Sequence, residues 1–266
     1  MALKEKLSDD ERVWVIALED AMRKTKENFG KVTDFDVALH AIIAKDEPNK
    51  AVKRLRRLKR FKERYNVRED NTVYEAIKIV HDFVHRHPNF LQAFNQDKFG
   101  RWIIFFNLKA LTEADAGDER FIALYYIFHA LQPDLDSVRN GTVWIGDFQD
   151  VTRQDLLGMM NGGRALCRDS YPIKIKDFPC LNSPSVISAT FAISRPFMST
   201  RVKEVMAINC TEAMVKKHFA RKVLSKALGG TQSQIEIMDI LETNIKKRFE
   251  NEEVFRLKLL STATSQ

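Results

Sequence analysis

"DSYPIKIKDFPCLNSPSVISATFAISRPFMS", Asp169 to Ser199, sets charges around a short apolar run, then an Ala-, Ile- and Phe-rich stretch that closes on Arg195-Pro196-Phe197. Lys174 to Asn182 reads as a buried strand, and Pro184 to Ile193 as the helix that follows it. The same alternation extends in both directions. "GRWIIFFNL" (Gly100 to Leu108) and "NGTVWIGDF" (Asn140 to Phe148) read as two earlier strands, and "RVKEVMAINC" opens as a helical turn and ends in a fourth, Val205 to Asn209. Between them "ERFIALYYIFHALQ" (Glu119 to Gln132) has helical length and is apolar on most faces, which predicts deep burial. "DLLGMMNGGRALCRDSYP" also reads as helical, weakened by Gly158, Gly162 and Gly163. Strands alternating with helices predict an α/β domain with a mostly parallel sheet floor covered by helices.

The chain before this domain reads as an all-helical extension, residues 8–66. Ser8 followed by Asp9, Asp10 and Glu11 is a helix start whose acids suit the dipole. The clearest helix carries Val52, Leu55, Leu58, Phe61 and Tyr65 at three- and four-residue steps. From Lys50 to Arg64 nine cations face one acid, Glu63, which fits either a solvated face or a surface that approaches phosphates. Residues 67–231 form the α/β domain, and 232–266 read as a helical tail with a frayed end from Ser261.

No window of the 266 residues approaches the roughly 18 consecutive apolar residues of a membrane span. The N-terminus lacks the apolar run of a secretory signal, so a cytoplasmic location is expected. Cys167, Cys180 and Cys210 have no metal-type spacing, and structural disulfides and zinc are not expected. The net charge of +7 favours an anionic partner, nucleic acid or an acidic membrane.

Catalytic signatures are missing. His81 and His85 are four apart, but Asp82 stands where a zinc-protease motif needs Glu. There is no G-x-S-x-G elbow and no glycine-rich phosphate loop after a strand. Asp147 and Asp150 follow a strand without a matching base or nucleophile, and read as a structural turn. The chain is therefore expected not to be an enzyme, and no cofactor or metal is expected. An α/β enzyme built on Asp147 and a nucleic-acid binder built on the basic helix remain as alternatives. The second would need aromatics for base stacking, and only Phe61 and Tyr65 interleave with the cations.

Several motifs together resemble the CRAL-TRIO lipid-binding family. They are Asp169-Ser170-Tyr171-Pro172, Leu181-Asn182-Ser183-Pro184, Arg195-Pro196-Phe197-Met198 and Thr200-Arg201-Val202-Lys203, with "DKFGRWIIFF", "NGTVWIGDFQDVT" and "LSKALGG" in support. The branch it looks most like is that of the tocopherol- and retinaldehyde-binding members. Ile173 stands where phosphatidylinositol-transfer members carry an acid, Asp150 replaces a usual Gly, and "LSKALGG" lacks the family's Pro. These departures describe a divergent member with its own ligand.

The resemblance implies a sheet floor and helices enclosing an apolar cavity for a tocopherol, retinoid, carotenoid or other lipid. Each methylene taken from water is worth roughly 0.8 kcal/mol, so a long guest needs few polar contacts. The implied lining is Trp102, Ile104, Phe105, Phe106, Trp144, Ile145, Phe178, Cys180, Ile187, Phe191, Ile193, Phe197 and Ile208. Without the resemblance the aromatics among them read as plain core. The helix Ser185 to Ile193 maps onto the family's mobile lid. Lys174, Lys176, Arg201 and Lys203 map onto a phosphoinositide-contacting patch, giving a cytoplasmic, transiently membrane-associated monomer without a specific nucleic-acid partner.

Overall fold

The computed structural model describes residues 7–113, 119–156, 170–197 and 200–255. Three helices form the N-terminal extension: α1 (Asp9–Thr25), α2 (Asp34–Ala44) and α3 (Pro48–Arg64). Ser8 with Glu11, and Thr33 with Asp36, close reciprocal capping boxes on α1 and α2, satisfying backbone N–H groups the first turn leaves open. Pro48 starts α3 where its missing N–H costs nothing. Val15, Leu18, Phe35, Leu39, Val52 and Leu55 join these helices in a core of their own, to which Phe255 from the far end of the described chain also belongs.

After α4 (Val73–Arg86) come β1 (Leu91–Gln96), β2 (Trp102–Asn107), α5 (Leu108–Glu113), α6 (Glu119–Ala130), α7 (Leu135–Asn140) and β3 (Thr142–Asp147). The chain continues through β4 (Ile175–Leu181), α8 (Ser185–Ser194), α9 (Thr200–Val205), β5 (Met206–Cys210), α10 (Glu212–His218) and the long α11 (Gln234–Val254). The sheet order is β1-β2-β3-β4-β5, with β2 to β5 parallel and β1 antiparallel to β2.

β1 is the element that the sequence pattern does not announce. Gln92, Asn95 and Gln96 make this edge strand look like turn, whereas the true turn is one step later. There the Asp97 carboxylate accepts from the backbone N–H groups of Phe99 (2.8 Å) and Arg101 (3.0 Å), and Gly100 takes φ +70. The sheet thus has five strands where four are legible. The described part of the tail holds one helix, α11, whose Ile237, Leu241 and Ile245 enter the main core beside α4 and α6. Most of "DLLGMMNGGRALCRDSYP" and the end from Ser261 lie outside the described residues.

Side chains alternate across the sheet, so its two faces bury different residues. Ile104, Phe106, Trp144 and Cys180 face α4, α6, α8 and α11. Ile103, Phe105, Val143, Ile145 and Leu181 face the other way, under Val215 and Phe219 and the segment up to Leu228.

Candidate functional site

The helical face of β2 to β5 carries a wall of rings. Phe106 meets Trp144 edge-on at 6.0 Å between centroids, Trp144 meets Phe178 at 6.1 Å, and Phe128 of α6 lies 5.3 Å from Trp144. The Trp144 indole N–H donates to Thr142 Oγ1 at 2.9 Å, so its one polar atom is satisfied within the strand and the face is left apolar. Gly146 makes the layout possible. A Cβ there would lie 2.8 Å from a Phe148 ring carbon and 3.0 Å from one of Phe178.

Phe178 of β4, Met206 and Ile208 of β5 and Phe191 of α8 pack against this cluster while only half-buried, an apolar row shared by the sheet and the helix. Asn209, at φ +60, and a register shift between β4 and β5 turn Cys210 to the opposite face, so the half-buried row ends at Ile208. Burial pushes the Cys180 thiol up to about 12, with Cys210 adding to the effect. Cys180 is thus an inert apolar contact and not a nucleophile.

The cover is lightly held. Only Ile187 of α8 is fully buried, and the helix has no side-chain N-cap. The Ser188 hydroxyl pairs with Asn209 Oδ1 at 2.8 Å, tying the helix to β5. Ile193 is 74% exposed and Val186 44%, so α8 presents apolar side chains outward as well as inward.

The structure divides the thirteen residues expected to line a cavity. Ile104, Phe106, Trp144, Phe178, Cys180, Ile187, Phe191 and Ile208 come together on the helical face. Trp102 shares that core, stacked on Phe94 at 5.2 Å with its N–H donated to Ser137 Oγ (3.1 Å). Phe105 and Ile145 are a correction. Strand alternation sends them to the other face of the sheet, away from these eight. Ile193 points to solvent, which corrects its assignment as lining. The Phe197 side chain lies outside the described residues.

Of the basic set, Lys176 is exposed and Lys174 half-buried. Lys203, on α9 packed against β4, donates to the Pro196 carbonyl at 3.3 Å. The Arg201 side chain lies outside the described residues. The apolar stripe of α3 is buried, and Phe61 and Tyr65 pack tilted against each other at 4.7 Å, Phe61 stacking on Tyr125 and Tyr65 packing against Phe121 of α6. Those rings are spent on packing and are not offered to bases.

Asp147 is buried and accepts from Asn182 Nδ2 and the Gln149 N–H, both at 3.0 Å, as a turn-holding carboxylate does. His81 sits 3.6 Å from Glu242, and among the described residues no cluster suits a metal ion.

A cleft of about 770 Å³ opens elsewhere, where the N-terminal extension meets α4, α6 and α11. None of the thirteen expected lining residues borders it. Beside it Arg248, 1% exposed, bonds both Asp36 of α2 and Glu252 of its own helix. Burial works to raise the Asp36 carboxyl, and the Arg248 guanidinium overrides it and holds it at about 2. Glu252 is raised, because burial outweighs its share of the same cation. Burial holds the His129 imidazole down to about 3, with Arg248 adding to the effect, so it is neutral at pH 7. Sequence spacing gave no sign of this group, since Asp36 and Arg248 are 212 positions apart.

The profile of the CRAL/TRIO domain matches residues 87–230. Two curated relatives, both named alpha-tocopherol transfer protein-like, one from Homo sapiens and one from Pongo abelii, are 23% identical over 123 residues. That match covers 44% of this chain and 36% of each relative. Among solved structures, the crystal structure of Sfh5 superposes with a TM-score of 0.53 at 10% identity, covering 92% of this chain and 98% of that one, a likeness of fold alone. With a family match over more than half of its length and a five-stranded, mostly parallel sheet under helices, the chain belongs to the CRAL/TRIO domain family.

Proposed function

We propose that the chain binds a hydrophobic small molecule, a tocopherol, retinoid, carotenoid or other lipid, in a trough beneath α8 and exchanges it at acidic membranes without catalysis. The carrying observation is the half-buried row of Phe178, Met206 and Ile208 on the sheet with Phe191 of α8, a helix anchored by one fully buried residue. Half-buried apolar side chains gain when a guest covers them, at roughly 25 cal/mol per Å². A helix so lightly held opens at low cost. The organisation that goes with this reading is a helical extension (8–66), a lipid-binding domain (67–231) and a C-terminal segment (232–266). Membership of the family and the tocopherol-transfer-like relatives support it.

Lys174, Lys176, Arg201 and Lys203 are then the contact with phosphoinositide-containing bilayers, and the outward Val186 and Ile193 enter the interface beside them. Each cation near an acidic surface is worth about 1 kcal/mol, so Lys176→Gln with Lys203→Gln should weaken binding to phosphoinositide vesicles by about thirtyfold at physiological salt. Uptake of an NBD-labelled tocopherol should stay unchanged. Vesicle co-sedimentation checks the first and fluorescence titration the second, and equal sedimentation of variant and parent would remove the patch from the mechanism.

A further inference from the structure

At the N-terminal edge of the parallel strands a large apolar ring is held out into water. Phe99, at the tip of the β1–β2 turn, is 61% exposed. The turn that presents it is stiff. Asp97, its side chain 8% exposed, accepts the Phe99 and Arg101 N–H groups on its carboxylate and the Gly100 N–H on its carbonyl at 3.1 Å. The same carboxylate takes the Arg101 Nε at 2.6 Å. Cations flank the ring: Lys98 Nζ and the Arg101 guanidinium each lie over it, 5.1 Å from its centroid.

The turn sits beside the basic patch. Asn140 Nδ2 donates to the Gly100 carbonyl at 3.4 Å. Its neighbour Gly141, at φ +79, is pressed so closely on the start of β4 that a Cβ there would lie 2.5 Å from the Lys174 carbonyl oxygen and 2.8 Å from Lys176 Cγ. Trp102 pairs with Thr142 and Thr142 with Ile175, so the starts of β2 and β4 are two strand spacings, roughly 10 Å, apart. Lys203 is on the same side, on the helix α9 that leads into β5.

Charge decides what covers the ring. Lys98 and Lys176 are exposed, and neither has an acid partner among the described residues. Nearby acids are engaged or turned away. Asp97 is bonded to Arg101, Glu11 and Asp136 to Arg139, and Asp177, next to Lys176 on the strand, points to the far face with Cys210. With cations over it, the ring is poorly placed to stack on a base. An acidic bilayer suits both parts, taking apolar area out of water while its phosphates meet the lysines.

We propose that Phe99 is a bilayer anchor: the β1–β2 turn sinks its ring below the headgroups of an acidic membrane while Lys98 and Lys176 stay with the phosphates. Resting on the exchange at acidic membranes proposed above, this adds the residue that enters and the edge of the sheet that leads.

The test is co-sedimentation of the full chain with phosphatidylcholine vesicles containing phosphatidylserine, over a range of salt. Phe99→Ala should bind about tenfold more weakly, as loss of a buried ring does, with the salt dependence unchanged. Lys98→Gln should bind about fivefold more weakly, with a shallower salt dependence. Phe99→Trp should bind at least as well as the parent, and the fluorescence it adds should be quenched by phosphatidylcholine brominated on its acyl chains. All three should melt like the parent, since both side chains are exposed. A parent that does not sediment with these vesicles would refute the exchange reading and the anchor with it. If the parent sediments, equal binding by Phe99→Ala, equal losses in Phe99→Ala and Phe99→Trp, or added fluorescence that bromolipid leaves unquenched would each overturn the anchor alone.

Discussion

Arg248→Met should destabilise the protein by about 3–5 kcal/mol, the cost of leaving buried carboxylates without their cation. Two such groups depend on this side chain, Asp36 and Glu252, and it also lies over the Phe35 ring at 4.6 Å. Net stabilities are about 5–15 kcal/mol, so the loss is a large share of the whole. Because Asp36 belongs to α2 and Arg248 to α11, the extension should loosen first.

The pH dependence gives the diagnosis. In the parent, Asp36 sits at about 2, below its ordinary 3.8. Its contribution is therefore full above pH 3.8 and is lost as pH falls towards 2. In Arg248→Met the cation that chiefly opposes burial at both carboxyls is gone, and although Lys62, His40 and the Thr33 N–H still favour the Asp36 carboxylate, both carboxyls rise. The variant should then gain stability relative to the parent as pH falls from 7 towards 5, since protonation removes the buried charges. Urea unfolding at pH 7 and pH 5 reads both effects. A variant as stable as the parent at pH 7, or one that falls further behind it at pH 5, would show that the cluster does not hold the extension in place.

The second large effect concerns the two faces of the sheet. Ile208→Glu places a carboxylate in the trough, and desolvating it against an apolar guest costs about 3 kcal/mol or more, a hundredfold loss of affinity. Ile208 is only half-buried, so its Glu replacement reaches water in the empty protein and folding is largely spared. Phe105→Leu does the reverse. It should lower stability by about 1 kcal/mol while changing affinity less than twofold, because Phe105 belongs to the core on the far face. Titration with NBD-labelled tocopherol and NBD-labelled phosphatidylcholine, beside thermal unfolding, separates the two. Equal effects of both substitutions on affinity would place the guest somewhere other than beneath α8.

The contrast between Ile208 and Phe105 also marks how far the sequence is legible. Long elements carry strong periodic signals, and α3, α6, β2, β3 and β4 lie where their patterns put them, within two residues. The short edge strand β1 carries polar residues and leaves no such signal. A continuous apolar run such as "WIIFF" shows burial on both faces but not which residue faces which layer, since either alternation is apolar. That is why Phe105 and Ile145 join the expected lining beside Ile104 and Trp144. The polar cleft was invisible for another reason. Its parts come from α2, α3, α6, α11 and the 68–73 loop, and only tertiary packing brings Asp36, His129, Arg248 and Glu252 together.

The most direct measurement on the trough is native mass spectrometry of the full chain after incubation with vesicles of a total lipid extract. The expected result is a one-to-one adduct with a hydrophobic molecule, which survives gentle desolvation and is absent from Ile208→Glu under the same conditions. A spectrum without any lipid adduct, or adducts of equal abundance on the parent and on Ile208→Glu, would contradict binding beneath α8.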